Sequence, residues 1–288
     1  MRLLVTGASG QLGAYLLREL DRTDWQVTAW SGKHGSAPSQ PVNLTDRDAV
    51  TTAFRAARPE VVLHAAALSS VAECQRDPER AERVNVAGTR CLAELAAATQ
   101  ARLLLVSTDL VFDGRKGNYT EADAPAPLSV YGRTKQAAEQ AVLATPGSLV
   151  ARLSLLFGPS LIGRAGFFDQ QVQALRAGQP LTLFDDERRT PLDYPTAARA
   201  LMALAAASCT GLLHVGGGER LSRVEMGRRV ARTLSVDPGC IVAQSRLAAP
   251  APEPRPADTS LDTSRFRSLF PELRMPSFDE ALRQLLGA

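Results

Sequence analysis

Tyr131 and Lys135 stand four residues apart in the stretch VYGRTKQAAEQ. On a helix that spacing puts a phenol and an ammonium on one face, one turn apart. A free tyrosine titrates near about 10, too high for efficient proton exchange at neutrality. A cation one turn away favours the phenolate and draws that value down. Upstream, the apolar run ARLLLVST ends in Ser107 and Thr108, followed by Asp109. A small hydroxyl at a strand end can donate a hydrogen bond to a carbonyl oxygen on which negative charge grows. Thr108, Tyr131 and Lys135 together suit carbonyl reduction, with Tyr131 as the proton donor. Taken alone, the same three residues are also compatible with an ordinary strand end and an ordinary helix.

Such a site needs elements that bring it to one place. RLLVTGASGQLGAYLLREL reads as a buried strand over Arg2–Thr6, a Gly-rich turn, and a helix with Leu12, Tyr15, Leu16 and Leu20 at helical spacing. Gly7, Gly10 and Gly13 permit a tight turn, close backbone approach to a phosphate, and close helix–strand packing. The helix start at Gln11 and Leu12 offers free N–H groups and a positive dipole end to a pyrophosphate. The second strand, QVTAWSGK, carries no acid near its end that could hold the ribose 2′-hydroxyl of NAD. Ser31, Gly32 and Lys33 stand there instead and suit a 2′-phosphate, so NADP is expected over NAD. The other reading of Lys33 is a solvated loop lysine. Asn43 and Leu44 end a third short strand. Val61–His64 is another buried strand, and Ala65, Ala66 and Ala67 leave room beside it for a flat group. Asp77-Pro78-Glu79 signals a helix start, with the helix running to about Ala98. His64 has no second histidine or acid in a catalytic arrangement, which favours a core or loop role.

The alternation of strands and helices predicts an α/β fold, a Rossmann-like doubly wound parallel sheet, whose ligands sit at the C-terminal strand ends. After Gly158 the pattern loosens. A helix stopped by Gly178 and Pro180, the strand LTLF and the charge cluster DDERRT lead into the helix YPTAARALMALAAAS and the strand GLLHV, which rejoins the first sheet. DDERRT reads by default as a solvated loop, with Arg188 and Arg189 as alternative diphosphate ligands. SRVEMGRRVARTLS is a helix with a Ser222–Glu225 capping box. The Pro/Ala-rich stretch from Ala248 to Pro256 is either a lid or a connector. The expected organisation is a dinucleotide-binding core over residues 1–157, rejoined by about 192–216, with a smaller interleaved C-terminal substrate lobe from 158–191 and 217–288.

The chain has 288 residues, a net charge of +3 with interspersed signs, and ordinary apolar and charged fractions. These point away from a dedicated nucleic-acid or membrane surface. No apolar run reaches the roughly 18–20 residues that cross a bilayer, and Met1 running straight into a strand predicts no cleavable leader. Cys74, Cys91, Cys209 and Cys240 lack C-x-x-C spacing, as reduced thiols of a cytoplasmic protein would.

TGASGQLG, HAAA, NVAGT and YGRTK resemble the signatures of the extended short-chain dehydrogenase/reductase family. STDLVFDG, the loop YTEADAPAPLSVYGRTK and ARLSLLFG together resemble dTDP-4-dehydrorhamnose reductase and its relatives, over most of the chain. The resemblance implies NADP-dependent reduction of a keto group on a nucleotide sugar. In it Thr108, Tyr131 and Lys135 form the triad, and Lys135 also holds the nicotinamide ribose hydroxyls. It further implies that Asn43 and Leu44 meet adenine, that His64 and Ala65–Ala67 lie on the nicotinamide ribose side, and that Asn85 shapes the active-site floor. Ser107 joins the cofactor contacts, Asp109 faces the sugar, and Arg189 and Arg255 lie on the substrate side. Leu110 and Leu155 depart from the subfamily's usual aromatics near the sugar, which points to a different substrate or to weak activity on the usual one. Tyr15 replaces an acid that is metal-linked in some members, so no metal is expected. The chain is then a monomer or homodimer. Two other functions resemble the same pattern: a sugar-nucleotide epimerase, and a non-catalytic cofactor-binding protein like the regulatory subunit of methionine adenosyltransferase.

Overall fold

The computed structural model describes residues 1–32, 39–248 and 254–287. The chain opens with β1 (Arg2–Thr6), α1 (Gln11–Leu20), β2 (Gln26–Ser31), β3 (Gln40–Pro41), α2 (Arg47–Ala57) and β4 (Val61–His64). It continues through α3 (Val71–Arg76), α4 (Pro78–Ala81), a π-helical turn over Glu82–Ala87, α5 (Gly88–Thr99), β5 (Arg102–Thr108), α6 (Val130–Leu143) and β6 (Leu149–Leu153). These strands and the later β11 (Gly211–Val215) make a seven-stranded sheet in the order β11-β6-β5-β4-β1-β2-β3. Every neighbouring pair is parallel. The winding reverses between β1 and β4, which opens a crevice at their C-terminal ends.

Strands covered on both faces read as unbroken apolar runs, as LLV of β1, VVL of β4 and LLL of β5 do. Successive side chains point to opposite faces. Leu3, Val5, Leu63 and Leu104 meet Leu16 and Leu20 of α1. Leu4, Val62, Leu103 and Leu105 meet Phe54, Leu92 and Val142 of α2, α5 and α6.

Beyond β6 run β7 (Leu156–Phe157), α7 (Phe167–Arg176), β8 (Leu181–Phe184), β9 (Arg188–Arg189), β10 (Leu192–Asp193), α8 (Tyr194–Ala206) and β11 (Gly211–Val215). The chain closes with β12 (Leu221–Ser222), α9 (Arg223–Thr233), β13 (Ile241–Gln244), α10 (Ser264–Leu269) and α11 (Phe278–Leu286). Helix α8 lies beside α1, and its small Ala197, Ala198 and Ala200 let it sit close to the sheet. A separate apolar cluster joins Phe157, Phe168, Val224, Val230, Ile241, Phe278 and Leu282. It is the core of the lobe that faces the crevice. Phe266 of α10 instead packs into the sheet's own core.

Three expectations need correction. The helix expected from Asp77 to Ala98 is capped by Asp77, whose carboxylate accepts from Arg80 N at 2.9 Å, but a π turn interrupts it at Glu82–Ala87. Asn43 and Leu44 follow the third strand and do not belong to it. DDERRT is no solvated loop: Arg188–Arg189 pairs antiparallel with Leu221–Ser222, and Glu187 and Arg189 are each only 4 % exposed. The Ser222–Glu225 capping box is present as expected. Among the described residues no helix is long and apolar enough to cross a membrane.

One buried ion pair ties α6 to the sheet. Arg152 of β6 donates to Glu139 of α6 from Nε at 2.9 Å and Nη2 at 2.6 Å. Ser107 of β5 donates to the same carboxylate at 2.5 Å. The Arg152 guanidinium also lies 5.0 Å over the Phe112 ring and 3.4 Å from His214 Nε2. Removing one partner strands a charge in the core. Glu139→Ala is therefore expected to cost about 3–5 kcal/mol in urea unfolding. The double change Glu139→Leu with Arg152→Met is expected to recover much of that loss, because an apolar pair of similar size leaves no charge to desolvate.

Candidate active site

The crevice holds a cleft of about 1170 Å³ lined from both the sheet and the lobe. That exceeds the roughly 300–1,000 Å³ typical of one small-molecule pocket and suits two ligands lying together. At one end is the Gly-rich turn. Gly7 has φ +77°, and a Cβ on it would lie 2.7 Å from Ala66 N. A Cβ on Gly13 would lie 2.7 Å from Ala8 Cα. Glycine is required at both by the close approach of backbone to backbone. Gly10 N donates to Gly7 O at 2.9 Å and closes the turn. The first-turn N–H groups of α1 then face the cleft without helical acceptors.

Gln11 and Leu12 line this end, but the Gln11 amide is already engaged. Its Nε2 donates to Pro159 O at 2.6 Å, and its Oε1 accepts from Ser160 and Leu161. What Gln11 can offer a phosphate is its backbone. Tyr15, at the position expected to lack a metal-linked acid, donates to the same Pro159 carbonyl at 2.8 Å. Ser31, Gly32, Asn43 and Leu44 line the far end. The Asn43 side-chain oxygen accepts from Thr45 N and Oγ1, which leaves the amide nitrogen. Lys33 lies outside the described residues. Among the described cleft residues, the carboxylates are Asp109 and Glu187, both at the opposite end.

Ala65, Ala66 and Ala67 form the wall expected of them. His64 does not. It is fully buried behind that wall, with Nδ1 2.6 Å from Thr6 Oγ1 and Nε2 2.9 Å from Thr89 Oγ1. Burial, with the charge of Lys135, pushes its pKa down to about 3, so the ring is neutral. It is neither a base nor a direct cofactor contact. Asn85 is also held back from the cleft. Its Oδ1 accepts from Leu68 N at 2.8 Å, and its Nδ2 donates to Leu68 O and to Thr134 Oγ1. It staples the end of the alanine wall to α6.

Tyr131 and Lys135 do share the cleft-facing side of α6, opposite Thr108 at the end of β5. Ser129 caps that helix, accepting from Gly132 N at 3.0 Å. Gly132 lets the helix press on the turn after β5, because a Cβ there would collide with the Leu110 carbonyl oxygen. Tyr131 shares a hydrogen bond with the Thr108 hydroxyl. The expectation that Lys135 draws the phenol down is not met. Burial first, and then the charge of Asp109, pushes Tyr131 above its ordinary range. Tyr131 is therefore a protonated phenol at neutrality. Lys135 is 2 % exposed. Burial lowers its pKa to about 8, against the opposing pull of Glu139 one turn on. Among the described residues no side chain or carbonyl hydrogen-bonds its Nζ. Ser107 also lines the cleft, with its hydroxyl bonded to Glu139.

Asp109 does not face a sugar freely. It is 4 % exposed, and it accepts from Thr108 at 3.3 Å, Ser154 at 3.1 Å and Thr259 at 3.0 Å. Arg189 Nε approaches at 3.6 Å. Arg189 is likewise spent within the protein: it donates to Arg188 O at 2.6 Å and pairs with Glu187 at 3.3 Å. These two residues join the core to the lobe. Arg255 does line the cleft, with its guanidinium 5.2 Å over Phe184 and 3.9 Å from Glu187.

Three further residues escaped the sequence reading. Arg223 lines the cleft, pairs with Glu187 at 2.9 Å, and lies 5.9 Å over Phe167. It directly follows the capping Ser222 and reads as nothing more than a helix start. Glu187 gathers Arg189, Arg223 and Arg255, and it stays below the usual carboxylate range because those arginines outweigh its burial. Glu139 did leave a signal, since it stands one helical turn beyond Lys135.

Comparison with known proteins places this geometry. The RmlD substrate binding domain family matches residues 1–288. A dTDP-4-dehydrorhamnose reductase of Streptomyces griseus is 34% identical over 277 residues, covering 93% of this chain and 87% of the relative. The methionine adenosyltransferase 2 subunit beta of Danio rerio is 30% identical over 292 residues, covering 99% and 90%. The crystal structure of a hypothetical dTDP-4-dehydrorhamnose reductase from Sulfolobus tokodaii superimposes with a TM-score of 0.87 at 31% identity, over 97% of this chain and 98% of that one. With a glycine turn at the switch point, the Tyr131–Lys135 pair on α6 and a match along its whole length, the chain belongs to the RmlD substrate binding domain family of extended short-chain dehydrogenases/reductases.

Proposed function

We propose that the protein reduces a keto group on a nucleoside-diphosphate sugar with NADPH, and that Tyr131 delivers the proton. The observation that carries this reading is the convergence of Thr108, Tyr131 and Lys135 on one cleft whose other end is a phosphate-binding turn. The residues suit a dinucleotide. The Gly7 turn is closed to a Cβ, and among the described residues nothing hydrogen-bonds the ammonium of the buried Lys135. Among the described cleft-lining residues no carboxylate stands beside Ser31 and Asn43, which favours NADP over NAD.

When bound, the cofactor supplies the reducing electron pair. Thr108 and Tyr131 hold the carbonyl oxygen between two hydroxyls, and Tyr131 gives it a proton as negative charge grows there. Lys135 carries the positive charge that stabilises the resulting phenolate and has hydrogens to spare for ribose hydroxyls. The lobe end of the cleft offers Arg164, Arg223 and Arg255, a set that fits a diphosphate. Leu110 and Leu155 line the sugar region. They give it an aliphatic surface where the resembled subfamily usually has aromatic rings, which supports a substrate other than the usual dehydrorhamnose.

The full-length similarity to a methionine adenosyltransferase beta subunit favours one second reading, a cofactor-binding partner subunit. NADPH absorbance followed against a panel of nucleotide ketosugars separates the two. No oxidation with any sugar, together with co-elution with a methionine adenosyltransferase catalytic subunit, would establish the second.

Tyr131→Phe is expected to lower turnover by about 10²–10⁴-fold while NADPH affinity, read by fluorescence, is unchanged. Undiminished turnover would overturn the mechanism. Lys135 is charged below its pKa of about 8 and neutral above it. NADPH affinity of the free protein is therefore expected to fall as pH rises through about 8, and Lys135→Met is expected to flatten that dependence in a fluorescence titration.

A further inference from the structure

A continuous line of hydrogen bonds runs behind the cleft from the alanine wall to Tyr131. Ala66 N donates to Thr6 Oγ1 at 3.2 Å, and Thr6 Oγ1 lies 2.6 Å from His64 Nδ1. His64 Nε2 lies 2.9 Å from Thr89 Oγ1, which donates to Asn85 O at 2.6 Å. The Asn85 amide donates to Thr134 Oγ1 at 3.0 Å, and Thr134 Oγ1 donates to Tyr131 O at 2.9 Å.

The directions are forced. A threonine hydroxyl has one proton. Thr89 gives its proton to Asn85, so it must accept from His64, which places the ring hydrogen on Nε2. Nδ1 is then the acceptor and takes the Thr6 proton. The Thr6 oxygen remains open to the Ala66 N–H. Each member is satisfied in one arrangement only. The π turn over Glu82–Ala87 contains Asn85, and such widened turns are frequent where a helix serves a site. His64 is 0 % exposed, and Thr6 and Thr89 are each 1 % exposed, so water does not compete for the central bonds.

We propose that His64 is a positioning residue whose single tautomer completes this chain and holds Tyr131 in register with the wall that Ala65–Ala67 present to the cofactor. An isolated buried histidine would be satisfied by any two partners. Here each partner is itself committed, and the two ends of the chain are the two surfaces that must face each other across a bound nicotinamide. Misplacement of reacting groups by about 1 Å can cost about 10²-fold, which gives such a brace its purpose.

The inference rests on the reductase reading only for its kinetic arm. Thr89 does not line the cleft, and valine matches threonine in shape. Thr89→Val is expected to lower kcat about tenfold or more with NADPH Kd unchanged, while Thr89→Ser retains activity. Thr134→Val is expected to behave like Thr89→Val, so the test survives if one variant fails to fold. A second readout needs no turnover. In protein carrying ¹³C at tyrosine Cζ, with the Tyr131 resonance identified by Tyr131→Phe, Thr89→Val is expected to shift that resonance and change its response to NADPH. If Thr89→Val and Thr134→Val lower only the melting temperature, leaving kcat and the Tyr131 resonance as in the parent, His64 is a packing residue and the proposal fails. If no ketosugar is reduced but the resonance moves as stated, the brace stands and the reductase reading falls.

Discussion

The contact on which the site depends is the bidentate ion pair between Glu139 and Arg152 beneath α6. Two charges removed from water cost several kcal/mol each after relaxation, and a core of leucine and valine would have been cheaper. The carboxylate here meets more than its arginine. It receives the Ser107 hydroxyl from the residue before Thr108, and it lies one helical turn from Lys135. A single anion thereby fixes the strand that carries the hydroxyl of the site against the helix that carries its phenol and ammonium. It also opposes the desolvation of Lys135, whose charge would otherwise be harder to keep in so dry a place.

The lobe is attached through a second set of charges. Asp109 and Glu187 are both buried, and both are reached by Arg189. Arg189 is consumed by this task, and Arg223 and Arg255 are held beside Glu187 at the edge of the cleft. The division of labour follows from burial. An arginine whose guanidinium lies wholly inside the protein must satisfy its donors there, whereas one at the rim can keep some for a ligand.

Much of this was legible in the sequence, for definable reasons. The parallel sheet announces itself because strands covered on both faces are apolar without interruption. Gly7 and Gly13 are legible because only glycine survives such close backbone approach. Tyr131, Lys135 and Thr108 are legible because their spacing survives folding intact. The illegible residues have their partners far along the chain. Arg189 reads as a surface residue in DDERRT, because nothing local shows that Asp109, 80 positions earlier, will need it. The resemblance put His64 on the cofactor side, whereas its lack of a second histidine or acid had already favoured the core role that it takes. That its side chain turns backward toward Thr89 depends on where α5 packs. The downward pull of Lys135 on Tyr131 failed for a different reason: spacing gives proximity but not dielectric, and burial outweighs the cation.

The Pro159 carbonyl, which receives both the Gln11 amide and the Tyr15 hydroxyl, has a mechanical meaning. Two donors from the first turns of α1 hold the very start of the lobe against the phosphate end of the cleft. A lobe so clasped cannot lift away there without losing both bonds, so any breathing of the cleft must pivot about this corner, like a book opening from its spine. The free edge of that motion is the far rim, where Arg255 and Arg223 stand. The cleft accordingly opens widest at the rim and least beside the glycine turn.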